Sequence, residues 1–253
     1  MKIFLLKYGY IFCLLIIVAI LAINFMVLMH NINREKSMSC IGAYSGQLTV
    51  VLDAGHGGED GGAVSLSGAL EKDLNLAIAL KTEQIMALCG IPPIMTRSSD
   101  EIEYPKNANR TRERKVADTK RRTALVNAID NAVMISIHQN KYGTDTSPHG
   151  AQTFYAPTAG SEEFAALMQE IITQTLDPGN KRNIVKIPQS IYLLNNVDCP
   201  AILIECGFLS NIPECKLLET DSYQTKLAMA ITSALFNSAD MLIDIYYGDM
   251  NET

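Results

Sequence analysis

The segment Val50–Ala63, which reads VVLDAGHGGEDGGA, places the strongest constraint on how this chain folds. An apolar run, Leu48–Leu52, predicts a buried strand, and a glycine-dense loop that carries Asp53 and His56 follows it. Glycine adopts positive φ angles and lets other backbone approach closely, so such a loop can form a tight turn. A polar group at the end of a strand is where α/β proteins build their sites. The segment therefore predicts either a functional loop or a turn on which His56 is incidental.

Strand and helix patterns alternate along the remainder of the chain. Short apolar runs predict strands at Ile94–Thr96, Ala132–Ile137, Ala151–Tyr155, Ile191–Leu194 and Ala201–Ile204. Apolar residues at helical spacing predict helices at about Leu74–Leu88, Val116–Asp130, Phe164–Ile172 and Tyr223–Phe236. Glu101–Lys115 lacks such spacing, and a surface loop is expected there. This alternation indicates an α/β fold whose sheet is covered on both faces.

The N-terminal segment differs in composition from the rest of the chain. From Tyr8 to Met29 it is almost wholly apolar and uncharged, which is long enough to cross a bilayer as a helix. Lys2 and Lys7 precede this run, so the positive-inside rule places the N-terminus in the cytoplasm. A cleaved signal peptide is the alternative, although no clear A-x-A site follows. We expect an uncleaved anchor at 1–30, a linker at 31–46, a globular domain at 47–245 and a C-terminal tail at 246–253.

Charge and cysteine content argue against several classes of protein. The formal net charge of −6 argues against nucleic acid as a partner. The cysteines beyond the apolar segment are odd in number and show no C-x-x-C spacing, which argues against a disulfide scaffold and a thiolate zinc cluster. One basic stretch, Arg110–Arg122, carries seven Lys and Arg residues against two acids. It predicts either a solvated face or a contact with an anionic glycan or with membrane headgroups.

Polar side chains mark the ends of the predicted strands. His56 lies in the first loop, and His138 and Glu205 each come directly after a buried strand, while Glu71 opens the first helix. Because the strand ends of a mainly parallel sheet meet at one edge, these groups can share a crevice. Two imidazoles and one carboxylate with an open fourth position are the ligand set of a catalytic zinc site. A charge that ends an apolar run, as Glu205 does, is costly unless it is paired or used.

Spacing alone does not select these residues, but four blocks resemble the zinc-dependent N-acetylmuramoyl-L-alanine amidases. The blocks are Asp53–Gly58 (DAGHGG), Glu71, Ser136–Asn140 (SIHQN) and Glu205–Asn211 (ECGFLSN). They match the family in order and spacing, and together with Thr96-Arg97 and Arg122 the similarity covers about residues 48–240. There is no H-E-x-x-H motif, so the chain does not resemble a zincin.

The resemblance implies a fold, an activity and a set of site residues. The fold is a twisted mixed, mainly parallel sheet flanked by helices, and the reaction is hydrolysis of the amide between N-acetylmuramic acid and L-alanine of the peptidoglycan stem peptide. Matched by motif, the implied zinc ligands are His56, Glu71 and His138, and the implied general base is Glu205. The resemblance also implies that Asp53, which does not itself bind the metal, orients the ring of His56. Weaker candidates for shaping the site or holding substrate are Arg97, Arg122, Asn140 and Asn211, and a structural ion-pair role stays open for the two arginines.

One subgroup is especially similar. An anchored form with Tyr192–Leu194 and Glu205–Phe208 resembles the spore-cortex amidases of endospore formers, which strip the stem peptide so that a deacetylase forms the muramic δ-lactam read in germination. Gln139 stands where many relatives carry alanine. No wall-binding repeat is recognisable, so recruitment is expected from the anchor or from an activating partner protein. The domain is expected to face the cell wall or spore cortex. The alternatives are a zinc peptidase that cuts within the stem peptide and a tethered, non-catalytic peptidoglycan-binding scaffold.

Overall fold

The computed structural model describes residues 47–248 of the chain. Within these residues, one sheet contains the strands β1 (Thr49–Ala54), β2 (Ile94–Met95), β3 (Ala132–Asn140), β4 (Gln152–Tyr155), β5 (Val185–Lys186) and β6 (Ala201–Phe208). The helices are α1 (Glu71–Leu88), α2 (Thr111–Asn127), α3 (Ser161–Leu176), α4 (Tyr192–Asn195), α5 (Ile212–Leu218) and α6 (Asp221–Tyr247). The predicted N-terminal anchor and linker lie outside the described residues.

The sheet is mixed and mainly parallel, which confirms the predicted architecture. Its strand order is β2-β1-β3-β6-β4-β5. Strand β1 pairs in parallel with β2 and β3, β3 pairs in parallel with β6, and β4 pairs in parallel with β5, whereas β4 is antiparallel to β6. Because β1, β3 and β6 run in the same direction, their carboxyl ends meet at one edge of the sheet. That edge is where α/β folds of this kind bind their ligands.

The strand register places the polar candidates on one face of the sheet. Asp53 on β1 pairs with Ser136 on β3, and His138, two residues further along β3, pairs with Glu205 on β6. Since side chains alternate between the faces of a sheet, these four side chains point to the same side. Towards the other end of the strands, this face joins α2 and α4 in one apolar cluster that includes Val51, Met134, Leu203, Val126 and Leu194.

The opposite face of the sheet is apolar; α1 and α3 pack against its strands, and α6 packs against both of these helices. The central strands contribute fully buried isoleucines there, Ile135, Ile137, Ile202 and Ile204. Burial of each such side chain stabilises the fold by about 1.5–3 kcal/mol. Helices therefore cover both faces, as predicted, and the polar face has an open cleft at the strand ends.

Helix α2 begins at Thr111, so the predicted surface loop Glu101–Lys115 is wrong over its last turn. Glu113 caps the helix, because its Oε2 atom accepts hydrogen bonds from the backbone N–H groups of Asn109 (2.9 Å) and Arg110 (3.2 Å). The first turns of the helix are polar and largely exposed. Apolar periodicity detects a helix only where the helix buries an apolar face, which explains the error.

The segment Ile191–Leu194 forms most of a short helix, α4, and the predicted strand is wrong. Leu194 is fully buried, and Asn195 Nδ2 donates hydrogen bonds to the carbonyls of Pro188 (2.8 Å) and Ile191 (2.7 Å) that close the turn. A run of four apolar residues does not distinguish a strand from a buried helical turn. The sequence did not predict the edge strand β5 or the helix α5.

The last helix, α6, extends to Tyr247, well beyond the predicted end at Phe236. Of the residues described, only α6 has the length and composition of a membrane-spanning helix, and half of its most apolar stretch is buried inside the fold. Leu227 and Ile231, for example, are fully buried. Packing against α1 and α3 accounts for the apolar character of α6.

Candidate active site

The loop after β1 holds His56 in an uncommon backbone conformation. Its φ angle is 61°, in the left-handed region that residues other than glycine rarely adopt. The carbonyl of His56 accepts a hydrogen bond from Arg122 Nη2 (2.6 Å). The carbonyl of Gly55 accepts from Arg97 Nη2 and from Asn75 Nδ2, both at 3.1 Å. Buried donors thus fix the loop in a strained shape, as is common at functional sites.

Three side chains converge beside this loop. One ligand atom each of His56, Glu71 and His138 lies within 4.8 Å of the other two. Glu71 Oε1 is 2.9 Å from His138 Nδ1 and 3.2 Å from His56 Nε2. The imidazole rings meet edge to face, with their centroids 4.9 Å apart. The three residues come from a loop, from the first turn of α1 and from β3, so only the folded chain brings them together.

Two glycines provide the space for this convergence. The ring of His138 lies directly against Gly55, where a Cβ atom would come within 2.2 Å of Nε2. At Gly62, whose φ is 67°, a Cβ atom would lie 2.5 Å from Glu71 Oε2 and 2.8 Å from His56 Cδ2. Any side chain at either position would therefore displace a member of the cluster. Close approach of backbone explains why glycine is required at these positions.

The outer nitrogen of His56, Nδ1, donates a hydrogen bond to the carboxylate of Asp60. His56 Nδ1 is 2.8 Å from Asp60 Oδ2, and the same oxygen pairs with Lys115 Nζ at 2.9 Å. Burial lowers the pKa of His56, but the hydrogen bonds and charges of Asp60 and Glu71 outweigh it and raise the pKa to about 9. A carboxylate in this position fixes the orientation of a ligating ring. Sequence reasoning missed Asp60, although its place four residues after His56 in the same loop was a usable signal.

Asp53 lies instead in a closed ion-pair network beneath the loop. Its carboxylate accepts hydrogen bonds from Arg122 Nη1 (2.8 Å), Thr96 Oγ1 (2.6 Å) and Ser136 Oγ (2.6 Å). Burial raises the pKa of Asp53, but the charge of Arg122 and the two hydroxyl groups outweigh it and hold the pKa well below its usual range. These partners engage both carboxylate oxygens. The expectation that Asp53 orients the imidazole of His56 is corrected accordingly.

The donor set of the cluster suits a metal cation. Burial raises the pKa of Glu71, but hydrogen bonds and charges from His138 and His56 hold it well below its usual range, so the carboxylate is ionised. Two imidazole nitrogens and one carboxylate oxygen are the donors found at catalytic zinc sites. A cation bound here would take the place of the proton held by His56 and would pair with the carboxylate of Glu71. The residues present therefore fit a zinc ion in the type, number and spacing of their donors.

A buried pair of amides supports Glu71 from behind. Glu71 Oε1 accepts hydrogen bonds from Asn75 Nδ2 (3.3 Å) and from the backbone N–H of Gln139 (3.2 Å), and Oε2 accepts from the backbone N–H of Ala63 (2.8 Å). Gln139 Nε2 donates to Asn75 Oδ1 (3.2 Å), which fixes the orientation of that amide. Within the described residues, Gln139 Oε1 has no hydrogen-bond partner. The structure thus places Gln139, which sequence reasoning left uninterpreted, in the support of a ligand.

Glu205 lies beside the cluster on the neighbouring strand, opposite His138 in the register. Its Oε2 atom is buried and has no hydrogen-bond partner among the residues that the structure describes. Burial is the largest influence on Glu205 and raises its pKa to about 7. A general base is most effective when its pKa lies near the working pH. Glu205 is therefore suited to accepting and releasing a proton near neutral pH, because its pKa is about 7 and its Oε2 atom has no partner among the described residues.

The remaining candidates from the sequence divide between the cavity and its scaffold. Asn140 lines the cavity above the cluster. Arg97 Nε donates a hydrogen bond to the carbonyl of Ala54 (2.8 Å), so its contacts support the loop. Asn211 caps α5, where its side chain accepts a hydrogen bond from the backbone N–H of Glu214 (3.1 Å). The contacts of Arg97 and Asn211 are structural.

The cavity above the cluster has a volume of about 610 Å³, within the range of small-molecule sites. Its floor contains the side chains discussed above, Asp53, His56, Glu71, His138 and Glu205. One wall is formed by α2, and another is formed by the segment Ser190–Leu194. The cavity therefore lies at the carboxyl ends of β1, β3 and β6, where the topology predicts a ligand site.

Fold and site together define an α/β protein in which two imidazoles and several carboxylates, Glu71 and Glu205 among them, line a cleft at the strand ends. Metal-dependent hydrolases are built in this way. Residues 50–237 match the protein family described as N-acetylmuramoyl-L-alanine amidase. The match covers more than half of the chain, and the chain belongs to this family.

Individual relatives agree with this assignment. The germination-specific N-acetylmuramoyl-L-alanine amidase of Bacillus subtilis (strain 168) is 38% identical over 183 residues, which cover 72% of this chain and 76% of the relative. The CwlD amidase from Clostridioides difficile, solved in complex with the GerS lipoprotein, is 37% identical with a TM-score of 0.73 and covers 77% of this chain and 99% of its own. An N-acetylmuramoyl-L-alanine amidase from Clostridium difficile 630 is 30% identical with a TM-score of 0.66, and the match covers 76% of this chain and 97% of that protein's chain. The family resemblance drawn from the motifs is confirmed.

Proposed function

We propose that this chain is a zinc-dependent peptidoglycan hydrolase that cleaves the amide bond between N-acetylmuramic acid and L-alanine of the stem peptide. The observation that carries the proposal is the convergence of His56, Glu71 and His138, with one ligand atom each within 4.8 Å, in a member of this family. Zinc held by these residues would lower the pKa of a water molecule and polarise the amide carbonyl.

In this proposal Glu205 moves the proton. Its carboxylate, whose pKa is about 7, accepts a proton as water attacks the carbonyl and delivers it to the nitrogen of L-alanine as the amide breaks. Asp60 orients His56, and Asn75 orients Glu71, so both ligands are in position before substrate arrives. Asn140 lines the same cavity and would contact the substrate. Arg122 also lines the cavity and holds the carbonyl of His56.

We also propose a role in maturation of the spore cortex, where removal of stem peptides precedes formation of the muramic δ-lactam needed for germination. Identity of 38% to a germination-specific amidase and of 37% to the CwlD amidase supports this role. Because that CwlD structure contains the GerS lipoprotein, we propose that this chain also takes an activating partner protein. The anchor expected at residues 1–30 would hold the domain at the membrane, facing the cell wall or spore cortex.

The decisive experiment identifies the new end of the released peptide. The purified full-length chain is incubated with zinc and purified peptidoglycan, and the soluble products are analysed by mass spectrometry. We expect stem peptides with a free L-alanine amino terminus, and we expect a chelator to abolish their release and added zinc to restore it. Zinc content per chain is measured in the same preparation.

The other outcomes separate the alternatives. Products that begin inside the stem peptide would indicate a zinc peptidase and contradict the proposal. No release with one zinc per chain would indicate a peptidoglycan-binding scaffold. No release with much less than one zinc per chain would indicate that an activating partner is missing, and the assay would be repeated with a partner lipoprotein.

A further inference from the structure

One side of helix α2 forms a wall of the active-site cavity. The residues that line the cavity from this helix include five at the spacing i, i+3, i+4, i+7 and i+8, namely Arg112, Lys115, Val116, Thr119 and Lys120. This spacing defines one continuous face of an α-helix. We call this set the basic face of α2, because three of its five residues carry a positive charge. The face begins next to the ligand cluster, since Lys115 Nζ pairs with Asp60 Oδ2 at 2.9 Å and Asp60 holds His56.

Two cations of the basic face remain available for a ligand. Arg112 and Lys120 are exposed, and within residues 47–248 neither side chain makes a hydrogen bond or an ion pair. The acidic residues of the same helix do not compensate these charges. Glu113 caps the helix, and Asp118 pairs with Arg122 and Arg121, both at 2.7 Å. The basic face therefore presents uncompensated positive charge to the cavity.

This local charge is opposite in sign to that of the whole protein. The chain carries a formal net charge of −6, yet a wall of its cavity is positive. Although the floor of the cavity carries carboxylates, a wall with uncompensated positive charge attracts the negatively charged parts of a ligand and repels its positively charged parts. The part of the substrate that lies on this wall is therefore expected to be anionic.

The chemistry of the scissile amide indicates which half of the substrate is anionic. The N-acetylmuramoyl group uses its carboxyl group to form the amide, so the sugar side carries no charge. The peptide that starts at L-alanine keeps the carboxylate of its own C-terminus and any carboxylates of its side chains. From this we propose that the acidic stem peptide lies along the basic face of α2, with its carboxylates near Arg112 and Lys120. The inference rests on the proposed amidase function and adds the orientation of the substrate to it.

The dimensions of the basic face agree with this placement. The eight-residue separation from Arg112 to Lys120 corresponds to about 12 Å along the helix axis. An extended peptide advances about 3.3 Å per residue, so this wall accommodates about three to four peptide residues. Another part of the cavity wall presents the half-exposed apolar side chains of Ile191 and Tyr192, which suit the apolar side chains of a peptide.

The test compares charged and uncharged substrates on matched variants of the full-length, zinc-loaded chain. One substrate is an N-acetylmuramoyl tetrapeptide with free carboxylates, and the other is the same compound with those carboxylates amidated. We compare the unsubstituted chain with the double variant Arg112→Gln/Lys120→Gln. The control is Lys226→Gln, which removes an exposed charge on α6 outside the cavity.

We expect the double variant to lower kcat/KM for the charged substrate about fivefold, through a higher KM, and to leave the amidated substrate unaffected. The control variant should behave as the unsubstituted chain with both substrates. Added salt should reduce the preference of the unsubstituted chain for the charged substrate and have little effect on the double variant. An unchanged ratio of kcat/KM between the two substrates in the double variant would overturn the inference.

A binding measurement keeps this test separate from the test of the amidase function. The free tetrapeptide and its amidated form are titrated into the zinc-loaded chain, and their dissociation constants are compared. If no substrate is cleaved, the proposed function fails, whereas a preference for the charged peptide that the double variant loses still supports the basic face as its site. Equal binding of both peptides, together with loss of binding to anionic phospholipid vesicles in the double variant, would show that the face contacts membrane and would overturn the inference.

Discussion

Two groups of charged side chains contact the loop that follows β1, and their hydrogen bonding differs. The ion-pair network of Asp53, Arg122 and Asp118 is closed. The carboxylate of Asp53 accepts three hydrogen bonds, and Arg122 pairs with both Asp53 and Asp118. The ligand cluster is open, since its ligand atoms converge on a point in the cavity; its members are His56, Glu71 and His138. Beside the open cluster, Glu205 Oε2 is buried and lacks a partner among the described residues.

The comparison separates two uses of buried charge. A network in which every group is paired makes the loop rigid, and loss of one partner leaves an uncompensated charge in the interior. A cluster that keeps a free position for a ligand is less favourable for folding, because groups such as Glu205 forgo hydrogen bonds. Substitutions in the ion-pair network should therefore lower stability, and substitutions in and beside the ligand cluster should lower zinc affinity or activity.

The largest effect is expected for Glu205→Gln. The amide has nearly the shape of the carboxylate but cannot accept the proton, so activity should fall about 10²- to 10⁴-fold. Zinc content should match that of the unsubstituted chain, and thermal stability should not fall, because no hydrogen bond to Oε2 is lost and the amide removes a charge whose burial is unfavourable. The rates are measured by release of stem peptides and the stability by calorimetry. Loss of activity by less than tenfold would contradict the role of Glu205 as general base.

The next largest effect, on stability, is expected for Asp53→Asn. The substitution removes the buried charge that faces Arg122, and the free energy of unfolding should fall by about 3 kcal/mol. Zinc affinity should change far less than stability, which distinguishes this variant from those of the ligand cluster. Denaturant titration and zinc titration of the same preparation provide the comparison.

The pH dependence of this variant gives a second check. The pKa of Asp53 is held below its usual range in the folded chain, so its contribution to stability is complete above the ordinary pKa of about 4 and is lost as the pH falls towards the folded value. The difference in stability between the unsubstituted chain and Asp53→Asn should therefore narrow below about pH 4. A difference that widens in acid would show that the ionised form of Asp53 is not the stabilising one.

A moderate effect on zinc affinity is expected for Asp60→Asn. Loss of the carboxylate that pairs with His56 Nδ1 removes the group that orients the ring, and zinc affinity should fall about 10- to 100-fold. Glu59→Gln is a matched control, because Glu59 is exposed, lies next to Asp60 in the chain and pairs with Arg114. Competition with a metal indicator measures both affinities. Equal affinities in the two variants would contradict the assignment of Asp60.

The smallest effect is expected for Gln139→Ala. The substitution removes the hydrogen bond that fixes Asn75, so zinc affinity should fall by less than about tenfold through a looser Glu71. It also removes an oxygen that has no partner among the described residues, so the stability should stay within about 1 kcal/mol. Zinc titration and calorimetry are the measurements. Unaltered zinc affinity would show that the amide pair does not support the ligand.

Local patterns predicted much of the fold and placed the candidate ligands at the ends of strands and at the start of a helix, but only the family resemblance selected those residues. Each candidate ligand adjoins a local signal: His56 lies in the glycine loop, Glu71 at the start of a helix and His138 at the end of an apolar run. The beginning of α2 and the short helix α4 were missed, because a polar helix has no apolar periodicity and a four-residue apolar run fits either type of element. Asp60 was missed because three carboxylates, Asp53, Glu59 and Asp60, lie within four residues of His56 in the chain, and the sequence does not show which of them contacts the ring.

The sequence by itself determined the alternation of strands and helices, the family and the residue types available to hold a metal. The tertiary structure decided which carboxylate serves His56, that Asn75 and Gln139 stand behind Glu71, and that the basic side of α2 faces the cavity. The physical reason is that local patterns report which way a side chain points relative to its own strand or helix. Contacts between residues far apart in the chain depend on strand register and on the rotation of a packed helix, which are set only when the whole core assembles.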